Sequence, residues 1–324
     1  MRYLLRRLLH AFLLVIGVSI LAFLFTTFAP GNYLDEMRLN PQIAPETLVA
    51  LRAQYQLDRP LPIRYASWLN SVLHGQMGFS FAYNTPVAPL LLVRAKNTLL
   101  LTITATFLAW AIALPLGVWS ADRLGQLPDR VISASTAVLL VIPDLALALG
   151  LLVLSVKTRW FPTGGMASVD FESLSALNKI RDLAWHMALP VAALVLSALP
   201  LLIRHVRAAV AELLHAPFLL AAEGHGIPRL TLLYRYALPA AANTLLSLFG
   251  FSIGALLSGS LLIEVVMSWP GLGPFLLEAI LARDIYVVIG GVLFSTIFLV
   301  AGNFLADILL YWLDPRIRTG SPSS

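Results

Sequence analysis

Six stretches of the chain, roughly 8–28, 98–121, 131–156, 186–206, 239–265 and 285–313, are apolar with little charge in them. The hydrocarbon core of a bilayer is about 30 Å thick, and a helix rises about 1.5 Å per residue, so about 20 apolar residues cross it. Each stretch therefore predicts one spanning helix. Pro190 and Pro200 interrupt the fourth, and proline is tolerated there when neighbours satisfy the carbonyls it frees. The pattern predicts an all-α integral membrane protein with six transmembrane helices.

The polar stretches between them differ in kind. Residues 29–96 are too polar for lipid, yet patterned. Pro45 precedes a stretch, Glu46 to Leu57, that predicts a short helix. After Pro62, residues Tyr65, Trp68, Leu69 and Val72 fall at i, i+3, i+4 and i+7, one apolar helical face. Proline suits the start of that helix and Gly75 its end. This predicts a small folded cap, with the Trp68 face packed inward. The pattern divides the chain into an N-terminal spanning helix (1–28), an extracytoplasmic cap segment (29–96), a five-helix core (97–313) and a cytoplasmic tail (314–324). Thr319–Ser324 is expected to be disordered.

Composition agrees. Hydrophobic residues make up 59% and charged residues 12% of the chain, about half the charge of an average soluble domain. With no cysteine, disulfides, thiolate metal sites and a cysteine nucleophile are excluded. The net charge of +5 does not point to nucleic acid, because the basic residues lie between the apolar runs. Eleven Lys and Arg fall on the 63 residues of 1–10, 121–130, 204–235 and 314–324, and eleven on the 113 residues of 29–96, 157–182 and 266–284. The denser set belongs inside, which puts both termini in the cytoplasm. The apolar run after Arg7 is too long for a signal peptide and has no clear cleavage site, so it is read as a retained span.

The inner loop 204–235 carries the most specific pattern. It contains Ala221-Ala222-Glu223-Gly224-His225-Gly226, nine residues, then Tyr236-Ala237-Leu238-Pro239. A short helix, a glycine turn and a second helix make a rigid knob that can seat in a partner's groove. Gly226 can take a positive φ and end the first helix, and Leu230, Leu233 and Ala237 offer an apolar stripe toward the next span.

The spacing resembles the cytoplasmic signature of ABC importer permeases, E-A-A, three residues, G, nine residues, I-x-L-P. Ala221, Ala222, Gly226, Leu238 and Pro239 match it, while Leu220 and Tyr236 replace the Glu and the Ile. Further segments are similar to the dipeptide/oligopeptide/nickel branch. They are Ala29-Pro30-Gly31, Leu57-Asp58-Arg59-Pro60-Leu61, Trp68 with Gly75-Gln76-Met77-Gly78, Ser268-Trp269-Pro270-Gly271-Leu272-Gly273 and Asp314-Pro315-Arg316-Ile317-Arg318. Glu264 and Arg283-Asp284 flank the fourth of these, and Glu264 is expected to brace its turn. The resemblance implies a type I ABC importer permease fold in the cytoplasmic (inner) membrane, coupled through region 216–235. It implies a second permease, two ABC ATPase subunits that bind ATP and magnesium, and an external solute-binding protein. No cofactor is expected in this chain, and no enzymatic activity of its own. Members of the branch move dipeptides, longer peptides, nickel, glutathione or other small solutes.

Ionisable groups within a span cost about 2.5–3.5 kcal/mol at its centre on insertion scales, so each is a functional candidate. Asp144 lies midway along the third stretch. It either faces the translocation pathway, where it would attract a cationic group, or is a carboxylate that bonds a neighbouring helix or stays protonated. Asp307, near the inner end of the sixth stretch, reads as structural. Gly250, Gly254 and Ser258 form a small-residue ridge along the fifth, suited to close helix packing at a subunit interface or within the chain.

Other classes lack support. There is no G-x-x-x-x-G-K-S/T and no H-E-x-x-H. Gly17-Val18-Ser19 and Gly78-Phe79-Ser80 lack the second glycine of a serine-hydrolase elbow. An intramembrane enzyme is disfavoured by those absences. An ion-gradient-driven secondary transporter is the alternative function, and it would show internal repeats that are not evident here.

Overall fold

The computed structural model describes residues 2–28, 46 and 59–313. The helix expected over Glu46 to Leu57, apart from Glu46 itself, the motifs at Ala29–Gly31 and Asp314–Arg318, part of that at Leu57–Leu61, and the tail lie outside them. In chain order the elements are α1 (Arg2–Phe28), α2 (Leu61–Leu73), the paired strands β1 (Phe79–Ser80) and β2 (Thr85–Pro86), α3 (Val87–Asp122), α4 (Leu127–Val141), α5 (Asp144–Thr158), α6 (Ala176–Leu214), α7 (Pro217–Gly224), α8 (Ala242–Val266), α9 (Leu272–Leu281) and α10 (Ile285–Leu313). The strands are antiparallel, with Phe79 opposite Pro86.

Five helices, α1, α3, α6, α8 and α10, are long and apolar enough to cross a membrane. The third predicted span is not one straight helix. It divides into α4 and α5, which meet at 97°. Pro143 has no N–H to give, and the residue before a proline is driven out of the helical region; Ile142 is extended at φ −79°, ψ 119°. Asp144 is therefore the first residue of a new helix, at the break between the two halves of that stretch. The fourth span behaves in the opposite way, since α6 runs unbroken through Pro190 and Pro200. It packs against α4, α5 and α8, and that enclosure holds the helix across two missing hydrogen bonds.

The chain forms two compact units. The first comprises Met1–Leu8, Leu99–Trp269 and Leu299–Ser324. In its core the α3 residues Ala105, Ala109 and Ala113 recur every fourth position, fully buried, among Leu194, Leu202, Ile263 and Trp269. Such a stripe lets helix backbones approach closely. The ridge on α8 packs within this unit. A Cβ on Gly250 would lie 2.5 Å from the Ala306 Cβ, and one on Gly254 would collide with Leu299. Ser258 is exposed and takes no part. Arg7 and Asp307 pair at 3.3 Å, which gives Asp307 the structural role expected of it.

The second unit comprises Leu9–Thr98 and Pro270–Phe298. Trp68 is buried against Phe23 and Tyr65, as its helical spacing predicts. Helix α2 ends at Gly75, φ +79°, where Gly75 N–H donates to Val72 and Gln76 N–H to Ser71, the bonding of a Schellman stop. The buried Asp284 accepts from Ser80 Oγ at 2.7 Å and Ala82 N–H at 3.1 Å. Tyr83 donates to Glu278. Burial and that bond push its phenol up to about 12, so it stays protonated at physiological pH. The Pro270–Gly273 turn is braced by Asn97 Nδ2 on the Pro270 carbonyl and by Thr98 Oγ1, which accepts from Leu272 N–H, both at 2.8 Å.

Gly254→Val drives two methyls into Leu299, and overpacking of this kind costs about 1–3 kcal/mol. The melting temperature of the purified protein in detergent should fall clearly. Gly150→Val, at a glycine with nothing within 4 Å of its Cβ position, should leave it nearly unchanged.

Candidate functional site

The loop 204–235 folds into the predicted knob. Pro217 opens α7 after Ala216. At the other end Gly226 takes φ +78°. Its N–H donates to the Glu223 carbonyl at 2.9 Å, and Ile227 N–H reaches back to the Ala222 carbonyl at 3.4 Å. This is the Schellman pattern with glycine at its left-handed position. Ala222 thus has a backbone role that the motif spacing alone does not reveal. Ala221 accepts from His225 N–H at 3.1 Å, and its exposed side chain lies on the outer face of the knob.

After the turn the chain is helical but irregular, with an α turn at Arg229–Thr231, a π turn over Leu232–Ala237 and an α turn at Leu238–Ala240. The π turn rotates the apolar face. Leu232, Leu233 and Ala237 are buried, whereas Leu230, expected on the stripe, is 70% exposed. The inward residues join Leu219 of α7 against Val206, Val210 and Leu214 of α6 and Val118 of α3. Leu238 is partly buried on this cluster. Pro239 opens the next short turn, near the start of α8.

Ionic contacts fix the surroundings of the knob. Asp129, in the first turn of α4, is 3% exposed. Arg207 of α6 grips it from two nitrogens, Nε at 2.6 Å and Nη2 at 2.9 Å. Ser120 Oγ and Gly125 N–H also donate to it, at 2.6 and 2.8 Å. Helix α3, the α3–α4 turn, α4 and α6 are thereby bound at a single carboxylate. Sequence reasoning missed this pair, whose members lie 78 residues apart. On the surface Arg229 bridges Asp122 at 2.7 Å and Glu223 at 3.3 Å, tying the knob to the end of α3.

Asp144 stands apart from this cluster. It is exposed at the α4–α5 break and lines a cavity of about 130 Å³ with Ser197, Leu201, Ser252 and Gly259 among others. Gly250 and Gly254 face α10 instead. No group of three or more His, Cys, Asp or Glu suited to a metal ion occurs among the described residues.

Residues 113–319 match the family described as binding-protein-dependent transport system inner membrane component, and residues 1–102 match its N-terminal companion. The chain is 32% identical over 318 residues to the oligopeptide transport system permease protein AppB of Bacillus subtilis, covering 98% of this chain and 99% of that protein. It is 31% identical over 342 residues to the dipeptide transport system permease protein DppB of Escherichia coli K12, with the same coverage. It is 30% identical over 324 residues to the metal-staphylopine import system permease protein CntB of Staphylococcus aureus Mu50, covering 99% of each. Among solved structures, an inward-facing form of the MetNI methionine ABC transporter superposes with a TM-score of 0.57 at 19% identity, covering 69% of this chain and 96% of that one. That likeness is one of fold.

Removing one partner of a buried ion pair costs about 3–5 kcal/mol, and a surface pair is worth about 0–1 kcal/mol. Asp129→Ala should therefore lower the melting temperature strongly and Arg229→Ala barely. Thermal denaturation of both variants in one detergent measures the contrast.

Proposed function

The chain belongs to the inner membrane components of binding-protein-dependent transport systems and is a permease subunit of an ABC importer, and on that premise we propose that it forms half of a translocation pathway for peptides or similar small solutes. The other half is a second, homologous permease. Two ABC ATPase subunits dock on the cytoplasmic side, and a solute-binding protein delivers substrate outside. ATP and magnesium belong to the ATPases, and this chain carries no cofactor. The N- and C-termini lie in the cytoplasm, in keeping with the denser basic residues of the inner segments.

One observation supports the mechanical part most directly. The α7 knob is closed by a Schellman turn at Gly226 and seated through Leu219, Leu232 and Leu233 on the inner end of α6. A push on the knob is then delivered to α6, and through the Asp129–Arg207 pair to α3 and α4. In this reading Ala221, Ala222 and Gly226 present the coupling surface, and Leu238 and Pro239 join it to α8. Asp144 lies on the pathway side, and Gly250 and Gly254 serve internal packing. The oligopeptide, dipeptide and metal-staphylopine cargoes named for AppB, DppB and CntB fit a pathway for small solutes.

The reading is tested by purifying the tagged chain from its native membrane in mild detergent with mass spectrometry of what accompanies it. Co-purification of a Walker-type ATPase and a second multi-span permease in comparable amounts is expected. A chain that emerges alone and transports without ATP would establish the secondary-transporter alternative. Gly226→Pro, which forbids the positive φ, should cut ATP-driven uptake at least tenfold by uncoupling or poor assembly. Uptake at the unsubstituted rate would remove the role given to the knob.

A further inference from the structure

Helix α2 has two working faces. Tyr65, Trp68, Leu69 and Val72 pack inward with Phe23, Ile289 and Leu293. Beside them, Arg64, Ser67, Trp68 and Ser71 recur at i, i+3, i+4 and i+7 and so share a second stripe, with Trp68 on the edge of both. All four residues of that stripe line one cavity of about 860 Å³, whose described lining residues belong to the second unit. The rest of its wall comes from the β1–β2 hairpin, the first turns of α3 and Tyr286 of α10.

Two donors on this stripe are buried without an acceptor. Trp68 is 4% exposed, and its Nε1–H has no hydrogen-bond partner. Arg64 Nε is buried and equally unpaired. The guanidinium carbon of Arg64 lies 5.6 Å from the centre of the Phe23 ring, and stacking of this kind engages the face of the group while its N–H edge stays available. Arg64 forms no ion pair among the described residues. Buried polar groups in folded proteins are nearly always bonded, so two such donors on one wall call for an acceptor from outside the chain. No Asp or Glu occurs among the described lining residues, and Asn70 and Gln76 add neutral amides. A water accepts from either N–H but leaves the Arg64 charge without a counter-ion. An oxyanion satisfies both, and the guanidinium fork matches the geometry of phosphate.

The place of the cavity along the spans says where that oxyanion comes from. Trp68 stacks at 5.9 Å on Phe23, near the end of the apolar helix α1, while Leu92 lies in the second turn of α3 and Tyr286 is the second residue of α10. Span ends lie at the level of the lipid headgroups, where Trp and Tyr gather. The volume falls within the range of about 300–1,000 Å³ usual for small-molecule sites, far more than a bare phosphate fills. We propose that this cavity binds the phosphate of a phospholipid headgroup, with Arg64 and the Trp68 indole donating to its oxygens. Leu92, 49% exposed, flanks the start of the acyl chains. On the topology proposed above, the lipid belongs to the outer leaflet. The site shares no residue with the knob and does not depend on the coupling role given to it.

The test uses the full chain, purified in mild detergent with whatever accompanies it and washed free of lipid. Three probes are added separately and bound species are counted by native mass spectrometry: phosphatidylglycerol, diacylglycerol with the same acyl chains, and inorganic phosphate. Phosphatidylglycerol should occupy one site per copy of this chain that Arg64→Gln and Trp68→Phe each weaken at least tenfold. Diacylglycerol, which has no phosphate, should bind the unsubstituted protein at least tenfold more weakly. Undiminished binding of phosphatidylglycerol in both variants overturns the site, and so does equal binding of diacylglycerol, because the cavity then reads acyl chains alone. Inorganic phosphate that binds in an Arg64-dependent way and displaces the lipid makes the ligand a free ion and overturns the lipid assignment. A measurement on the unsubstituted protein needs no variant to fold. Phosphatidylglycerol with a photoreactive group on its headgroup should crosslink within residues 61–92, and crosslinking confined to other segments overturns the proposal.

Discussion

Hydrocarbon offers no partner to a backbone N–H or C=O, and each group left unsatisfied in it costs several kcal/mol. That constraint makes the apolar stretches helical and keeps α6 continuous through two prolines, where packed neighbours make it cheaper to lose single bonds than to unwind. It also limits where the chain can break. The interruption at Ile142–Pro143 frees carbonyls at the end of α4 and leaves amides without partners at the start of α5. Irregular backbone at membrane depth is tolerated where it lines a cavity or is buried in protein. The residues on either side of this break do line cavities, Leu140 one and Asp144 the other.

The spans, the cap helix and the knob were legible because each rests on a local rule. Hydropathy windows find helices of about 20 residues. The spacing of Tyr65, Trp68, Leu69 and Val72 marks a buried face, and the position of Gly226 marks a turn that needs a positive φ. What was not legible depended on tertiary surroundings. Pro143, Pro190 and Pro200 read alike along the chain, yet only Pro143 ends a helix. Val141 beside it is 80% exposed, whereas Pro190 and Pro200 are buried within α6. The π turn over Leu232–Ala237 carries no sequence mark, and it moved Leu230 out of the expected stripe and Leu232 into the core. The partner of Asp129 comes from 78 residues away, beyond any helical spacing. The ridge at Gly250 and Gly254 was legible as a close contact, but the identity of the facing helix was not.

The treatment of charge separates two kinds of region in the same unit. Asp129 is surrounded by donors from α3, the α3–α4 turn, α4 and α6, with its carboxylate gripped by two nitrogens on one edge of a guanidinium. Such a group cannot move without breaking several charge-assisted bonds together, so the elements it joins travel as one body. On the coupling role proposed for it, the knob passes force from a partner into the membrane and requires that stiffness, and the cluster around Val206, Val210 and Leu214 supplies the apolar part of it.

A path for solute requires the opposite. Groups that meet the substrate must remain unsatisfied by their own chain, or the substrate has nothing to displace, and their grip must stay weak enough for release. A carboxylate already saturated like Asp129 would offer a passing amine no advantage over water. Asp144, exposed at a helix start and in no ion pair among the described residues, meets the first condition. Rigidity and incomplete satisfaction are therefore divided within the first unit, between the buried Asp129–Arg207 pair and the exposed Asp144 at the α4–α5 break.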